Sequence, residues 1–187
     1  ETHKYKVSRN ENKALKFFHI GAMDWKPNLE AISWLLNEIW PRIQKQIPNA
    51  ELHLAGKNMP DWLFKNSKHN IFNHKEVKDS SKFIIENDIM IVPLLSAGGI
   101  RVKIIEGMAY GKAIISTQIG AERINYKNGE NIIIANKPED FSEKAKKISS
   151  KELDHRKIGM NAREHVTNNY DQQHTSKKLI SFFETVL

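Results

Sequence analysis

The feature that most constrains this chain is its alternation of short, unbroken apolar runs with stretches of helical periodicity. Leu15–Ile20 (LKFFHI), Ala50–Ala55 (AELHLA), Asn70–Phe72, Asp88–Pro93 (DIMIVP), Lys112–Thr117 (KAIIST) and Asn131–Ala135 (NIIIA) read as strands. Between them, Leu29–Gln46 carries Ile32, Leu35, Leu36, Ile39 and Ile43 at helical spacing. Asp61–Asn66, Lys82–Glu86 and Val102–Tyr110 read as further helices, the second capped by Asp79 and Ser80. Pro138–Ser149, Glu152–Asn168 and Gln172–Leu187 complete the helical set. A strand–helix–strand repeat calls for right-handed crossovers and therefore parallel pairing. Apolar residues throughout the central strands call for helices on both faces. The expected fold is α/β: a doubly wound, Rossmann-like, mostly parallel sheet spanning residues 14–187, preceded by a polar lead-in or linker at 1–13.

Ligands of such sheets bind outside the carboxyl ends of the strands, where the strand order reverses. The loops to search are therefore Gly21–Pro27, Gly56–Pro60, Asn73–Asp79, Pro93–Arg101, Gln118–Ile124 and Asn136–Pro138. Composition narrows the chemistry. The chain has no cysteine, which removes thiolate metal sites, disulfides and cysteine nucleophiles. Its 29 Lys+Arg against 22 Asp+Glu leave a formal charge of +7, but the lysines are interleaved with acids, as in Glu143-Lys144-Ala145-Lys146-Lys147. That pattern reads as solvated helix faces. No concentrated basic stripe with aromatics marks a nucleic-acid surface, so nucleic acid is not an expected partner. An anionic membrane surface and a phosphorylated substrate both suit the charge. The longest apolar runs, such as Ile89–Leu95, fall far short of the ~20 residues that span a bilayer. Glu1–Asn12 is polar throughout, so no signal peptide is expected and the expectation is a cytoplasmic protein.

The most informative stretch is Val92–Ser116. Gly98 and Gly99 lie between a strand and a helix, where backbone amides can approach a ligand closely. The helix start just beyond supplies free N–H groups and a positive dipole end, with Arg101 and Lys103 beside it. Glu106, one turn in, could accept hydrogen bonds from ribose hydroxyls; equally, it could pair with Lys103 at i, i+3. The pattern is neither a Walker loop nor G-x-G-x-x-G. The eight histidines show no metal-ligand spacing, and His19 reads as a core histidine. Trp34 and Trp40 read as packing, while Trp25 reads equally as lid packing or as a sugar-stacking ring.

Gly21-x-Met23-x-Trp25-x-Pro27-Asn28, Trp40-Pro41, Pro48-x-Ala50, Leu54-x-Gly56 and Val77-x-Asp79 occur in that order. They precede Pro93-Leu94-x3-Gly98-Gly99-x-Arg101-x-Lys103-Ile104-x-Glu106-x-Met108-Ala109-x-Gly111. Together they resemble the C-terminal, donor-binding half of glycosyltransferase family 4, retaining enzymes of GT-B architecture. The Lys103–Gly111 block is the specific part.

The resemblance implies a nucleotide diphosphate sugar as the partner, with its nucleotide near Gly21, Lys26, Val77, Gly98, Gly99, Ile100, Arg101, Lys103, Glu106 and Thr117. Glu106 matches the second acid of the family's E-x7-E pattern, the ribose ligand. The first acid falls at Gly98 and is missing. The early arginine that grips the diphosphate is also missing, since Ala22 follows Gly21; Arg101, Lys103 and the amides of Gly99 and Ile100 are its expected replacement. In the base-binding loop the usual glycine is Lys75, and Thr117 and Gly120 match the loop near the donor. The resemblance further implies an N-terminal acceptor domain outside these residues, no metal (there is no Asp-x-Asp pair) and no cofactor beyond the substrate. No catalytic residue is identified on the residues present. The alternatives are a non-hydrolysing sugar-nucleotide epimerase and a non-catalytic nucleotide-binding or membrane module.

Overall fold

The computed structural model describes residues 14–65, 70–96 and 98–170. The lead-in at 1–13 and the helix expected at Gln172–Leu187 lie outside the described residues. Six strands form one parallel sheet in the order β3-β2-β1-β4-β5-β6. They are β1 (Lys16–Ile20), β2 (Glu51–Ala55), β3 (Ile71–Asn73), β4 (Ile89–Val92), β5 (Ala113–Ser116) and β6 (Ile133–Ile134). This is the doubly wound architecture that the alternating pattern calls for, parallel at every pairing.

The chain moves outward from β1 through β2 to β3, then returns to β4 on the other side of β1 and moves outward again. The order reverses between β1 and β4. On one face, α1 (Lys26–Trp34) and α2 (Trp40–Gln46) pack with α6 (Pro138–Ser149) over Phe17, Leu52, Leu54, Ile91 and Ile115. Trp40 is fully buried there, edge-on to Phe17, and the partly buried Trp34 packs edge-on to Phe141, so both tryptophans serve packing. The other face carries α4 (Ser80–Glu86), α5 (Val102–Ala109) and α7 (His155–Tyr170) over Phe18, Met90, Val92 and Ile114. The short α3 (Trp62–Lys65) joins β2 to β3 and tucks Leu63 into the first face.

The periodic segment Leu29–Gln46 is one helical path interrupted by a π turn at Leu35–Ile39. Pro41 explains it: proline has no N–H to donate one turn back, and its ring would press on the carbonyl of Asn37, so the helix widens just before it. Asp79 caps α4 as expected, accepting from the Lys82 amide at 2.9 Å. Two glycines let elements meet closely. A Cβ on Gly56 would lie 1.8 Å from the Gly21 carbonyl oxygen, and one on Gly159 would lie 2.0 Å from that of Gly111. The first contact seats the loop after β2 on the loop after β1, the edge where a ligand is expected.

Candidate functional site

The reversal of strand order leaves α1 on one face and α5 on the other, so their N-termini flank a crevice between the ends of β1 and β4. Lys103, in the first turn of α5, reaches across it. Its Nζ donates to Asn28 Oδ1 at 2.6 Å and lies 3.4 Å from His19 Nε2. Asn28 is itself fixed, donating from Nδ2 to the Ala22 carbonyl at 2.8 Å. His19 is fully buried and its Nδ1 lies 2.8 Å from the Ile91 carbonyl oxygen. A carbonyl only accepts, so Nδ1 carries the proton and Nε2 faces Lys103 as an acceptor. Burial, followed by the charge of Lys103, holds His19 well below the usual histidine range and keeps it neutral.

The same surroundings act on the lysine. Burial first and the Arg101 guanidinium second bring its ammonium down to about 7. Its two hydrogen-bond partners are neutral, and no carboxylate pairs with it among the described residues. Gly21 makes room for the group: a Cβ there would stand 2.9 Å from Lys103 Nζ and 2.7 Å from Asn28 Nδ2.

The Gly98-Gly99 turn sits beside this cluster. A Cβ on either glycine would meet nothing within 4 Å, and Gly99 adopts φ +76, so the turn presents bare backbone to open space. Arg101, expected as a phosphate ligand, has one of its nitrogens engaged by the turn and its guanidinium close enough to oppose the charge of Lys103. It is buried, and its Nη1 donates to the carbonyls of Gly98 and Gly99, bracing the turn, while Nε and Nη2 find no partner among the described residues. Glu106 is half-buried, and its carboxylate makes no hydrogen bond or ion pair among the described residues. The i, i+3 pairing open to it in the sequence does not form, because Lys103 has swung toward β1.

The remaining expected residues are spread around this edge. Val77 is half-buried against the core under the loop after β3. Thr117 is buried and already occupied, its hydroxyl donating to the Leu94 carbonyl at 2.6 Å and accepting from the Gly120 amide at 3.0 Å. Lys26 is exposed and pairs with Glu30 at 3.9 Å; Lys57 pairs with Glu76 at 3.3 Å. Ile100 and Trp25 are exposed at the rim. Two residues of the cluster were not singled out as ligands in the sequence, His19 and Asn28. The signals for them were position for His19, near the end of the first strand, and for Asn28 its place straight after Pro27 in the motif shared with the family. Among the described residues no group of three or more His, Asp or Glu side chains is placed to hold a metal ion.

Lys75, where the related pattern has glycine, adopts φ 58. A left-handed conformation costs a side-chain-bearing residue about 1–2 kcal/mol, part of which glycine loses again in chain entropy. Lys75→Gly is expected to raise unfolding stability by about 0.5–1 kcal/mol, read from the urea midpoint at constant slope.

Residues 14–151 match the family model for glycosyl transferases group 1, and the chain belongs to that family. It is 25% identical over 189 residues to an uncharacterized 44.6 kDa protein in the cps region of Klebsiella pneumoniae, covering 96% of this chain and 47% of that protein. The chain thus spans about half the length of its curated relative. Among solved structures, it is similar to a point mutant of S. aureus TarM in complex with fondaparinux, alpha-GlcNAc-glycerol and UDP. The TM-score is 0.74 at 17% identity, over 96% of this chain and 38% of TarM. It is also similar to the C-terminal domain of the glycosyl transferase group 1 family protein LpcC from Francisella tularensis. That match has a TM-score of 0.64 at 20% identity, covering 85% of this chain and 87% of the LpcC domain. These likenesses establish the fold as that of one half of a GT-B glycosyltransferase.

Proposed function

We propose that this chain is the donor-binding half of a retaining glycosyltransferase that moves a sugar from a nucleotide diphosphate sugar to an acceptor hydroxyl in glycan or polysaccharide biosynthesis. One observation carries the reading: a cation without a carboxylate partner, an open glycine turn at a helix start and an unpaired carboxylate lie along one edge of the sheet. Those are the groups that a diphosphate and a ribose require. The helix start and Lys103 take the charge that develops on the departing diphosphate, while Arg101 holds the turn in shape. Glu106 takes the ribose hydroxyls, and the loops around Val77 and Lys75 receive the base. Catalysis on this reading is positioning plus electrostatic stabilisation, with no metal and no resident cofactor. The UDP in the TarM complex and the cps region of the Klebsiella relative support the donor class and the polysaccharide setting.

The acceptor would bind mainly on a second, N-terminal domain. No helix among the described residues is long and apolar enough to cross a membrane. The charge of +7 suits a cytoplasmic protein working at the anionic inner membrane surface. The purified chain is expected to bind a nucleoside diphosphate and to transfer no sugar. Measurable transfer from a nucleotide sugar by this chain alone would overturn the division of labour. Absence of transfer by a protein carrying both halves, with binding intact, would favour a non-catalytic nucleotide-binding module, to which the missing first acid at Gly98 also points.

A further inference from the structure

A lysine beneath a phosphate site ordinarily stands ready as a cation. Here, among the described residues, the amine is met only by a neutral amide and a neutral imidazole, in a crevice closed on one side by fully buried strand residues. On β1 the titratable group facing the amine is His19, whose Nδ1 proton is committed to Ile91 on β4. On α1, Lys26 and Glu30 pair with each other at the exposed rim. On α5, Arg101 is bound to the glycine carbonyls and Glu106 does not approach Lys103 within ion-pair distance. In the loop after β2, Lys57 is engaged by Glu76. Among the described residues no anion stabilises a charge on Lys103, and one neighbour, Arg101, opposes it.

We infer that Lys103 takes up a proton when the diphosphate binds, and that neutral His19 is the positioning residue that holds the amine over the crevice to receive it. The inference rests on the donor-site reading and deepens it, making donor affinity dependent on pH through this chain's own residues. The balance is simple. The free amine accepts one proton from solvent or buffer, and the resulting ammonium faces the negative charge of the diphosphate while keeping its bond to Asn28. His19 neither gains nor loses a proton, since its Nδ1–H stays on the Ile91 carbonyl and its Nε2 remains an acceptor. Lys103 resting at about 7 supports this arrangement.

Calorimetry of the 187-residue chain with UDP, ADP, GDP and CDP, in two buffers of different ionisation enthalpy, counts the protons. At pH 8 the terminal phosphate of these ligands is already ionised. The expected uptake there is about 0.9 proton per diphosphate bound, falling to about 0.1 near pH 6, with Kd rising about tenfold from pH 8 to 9. Lys103→Arg, a permanent cation, and Lys103→Met, which cannot titrate, are both expected to abolish the uptake. Persistence of uptake in both would move the proton to His19 and overturn the inference. His19→Phe, which removes the acceptor, is expected to shift the affinity–pH midpoint to lower pH, and His19→Gln to restore it. A purely structural His19 would change stability and leave that midpoint in place. Binding by wild type without proton uptake at pH 8 refutes this inference alone. Failure of all four diphosphates to bind even at pH 6.5 refutes the donor-site reading beneath it.

Discussion

Lys103→Met is expected to stabilise the free chain while removing most of the affinity that a diphosphate adds to a nucleoside. The two effects share a cause. A lysine lowered to about 7 from its ordinary 10.5 is a group that the unfolded chain protonates more readily than the folded one. The penalty is present in full below about pH 7, shrinks as pH rises, and is gone above 10.5. Methionine fills similar space without a charge to desolvate. The full shift corresponds to about 4 kcal/mol at pH 7, and leaving Asn28 Oδ1 and His19 Nε2 without their donor offsets about half of it. The gain should be about 2 kcal/mol at pH 7, or roughly 4–8 °C in Tm for a domain of this size, fading toward high pH. Loss of a charge-assisted contact to phosphate should cost on the order of 1.5–3 kcal/mol of binding, roughly ten- to a hundredfold in Kd for the diphosphate. Nucleoside affinity should not change. Thermal melts across pH together with calorimetry check both halves. A variant less stable than wild type at pH 7 would show that the lysine is a structural tie and not a held-ready charge.

Glu106→Ala is expected to weaken ribonucleotide binding on the order of 1.5–3 kcal/mol, roughly ten- to a hundredfold, without unfolding the domain. The carboxylate is half-buried and makes no ion pair or hydrogen bond among the described residues, so its removal breaks no contact of the fold. A 2′,3′-dideoxynucleotide should bind wild type as weakly as the ribonucleotide binds the variant, and the variant should no longer tell the two apart. Equal ribonucleotide binding by variant and wild type would remove Glu106 from the site.

The sheet was legible because its signals are local. Phe17-Phe18 in β1, Ile89–Val92 in β4 and Ala113–Ile115 in β5 are apolar on both sides, as a parallel sheet between helix layers requires. Strand ends moved by a residue or two: Asn70–Phe72 became Ile71–Asn73, and Asn131–Ala135 shortened to Ile133–Ile134. The π turn before Pro41 was not visible in a spacing that suits either kind of helix. The glycine turn, Lys103 and Glu106 could be singled out because they lie within nine residues of one another in a known kind of block.

Their company could not. His19 lies 84 residues from Lys103 and Asn28 lies 75 away, so the contacts exist only once the strand order has brought β1 beside β4. Side-chain direction was equally hidden. Arg101 and Lys103, two apart at a helix start, find different partners, one bracing the glycine carbonyls and one crossing the crevice to Asn28. Thr117, matched by its place in a motif, spends its hydroxyl on Leu94 and Gly120.

A nucleoside diphosphate bound at this edge of the sheet would draw its charge balance from Lys103 and the glycine turn. Calorimetry of the chain at pH 6.5 with a nucleoside, its monophosphate and its diphosphate tests this most directly, run on wild type and on Lys103→Met. Wild type should gain affinity with each phosphate, and the variant should lose most of that gain with nucleoside binding unchanged. An equal phosphate increment in both proteins would contradict the account and move the charge balance to the exposed pairs at Lys26 and Lys57.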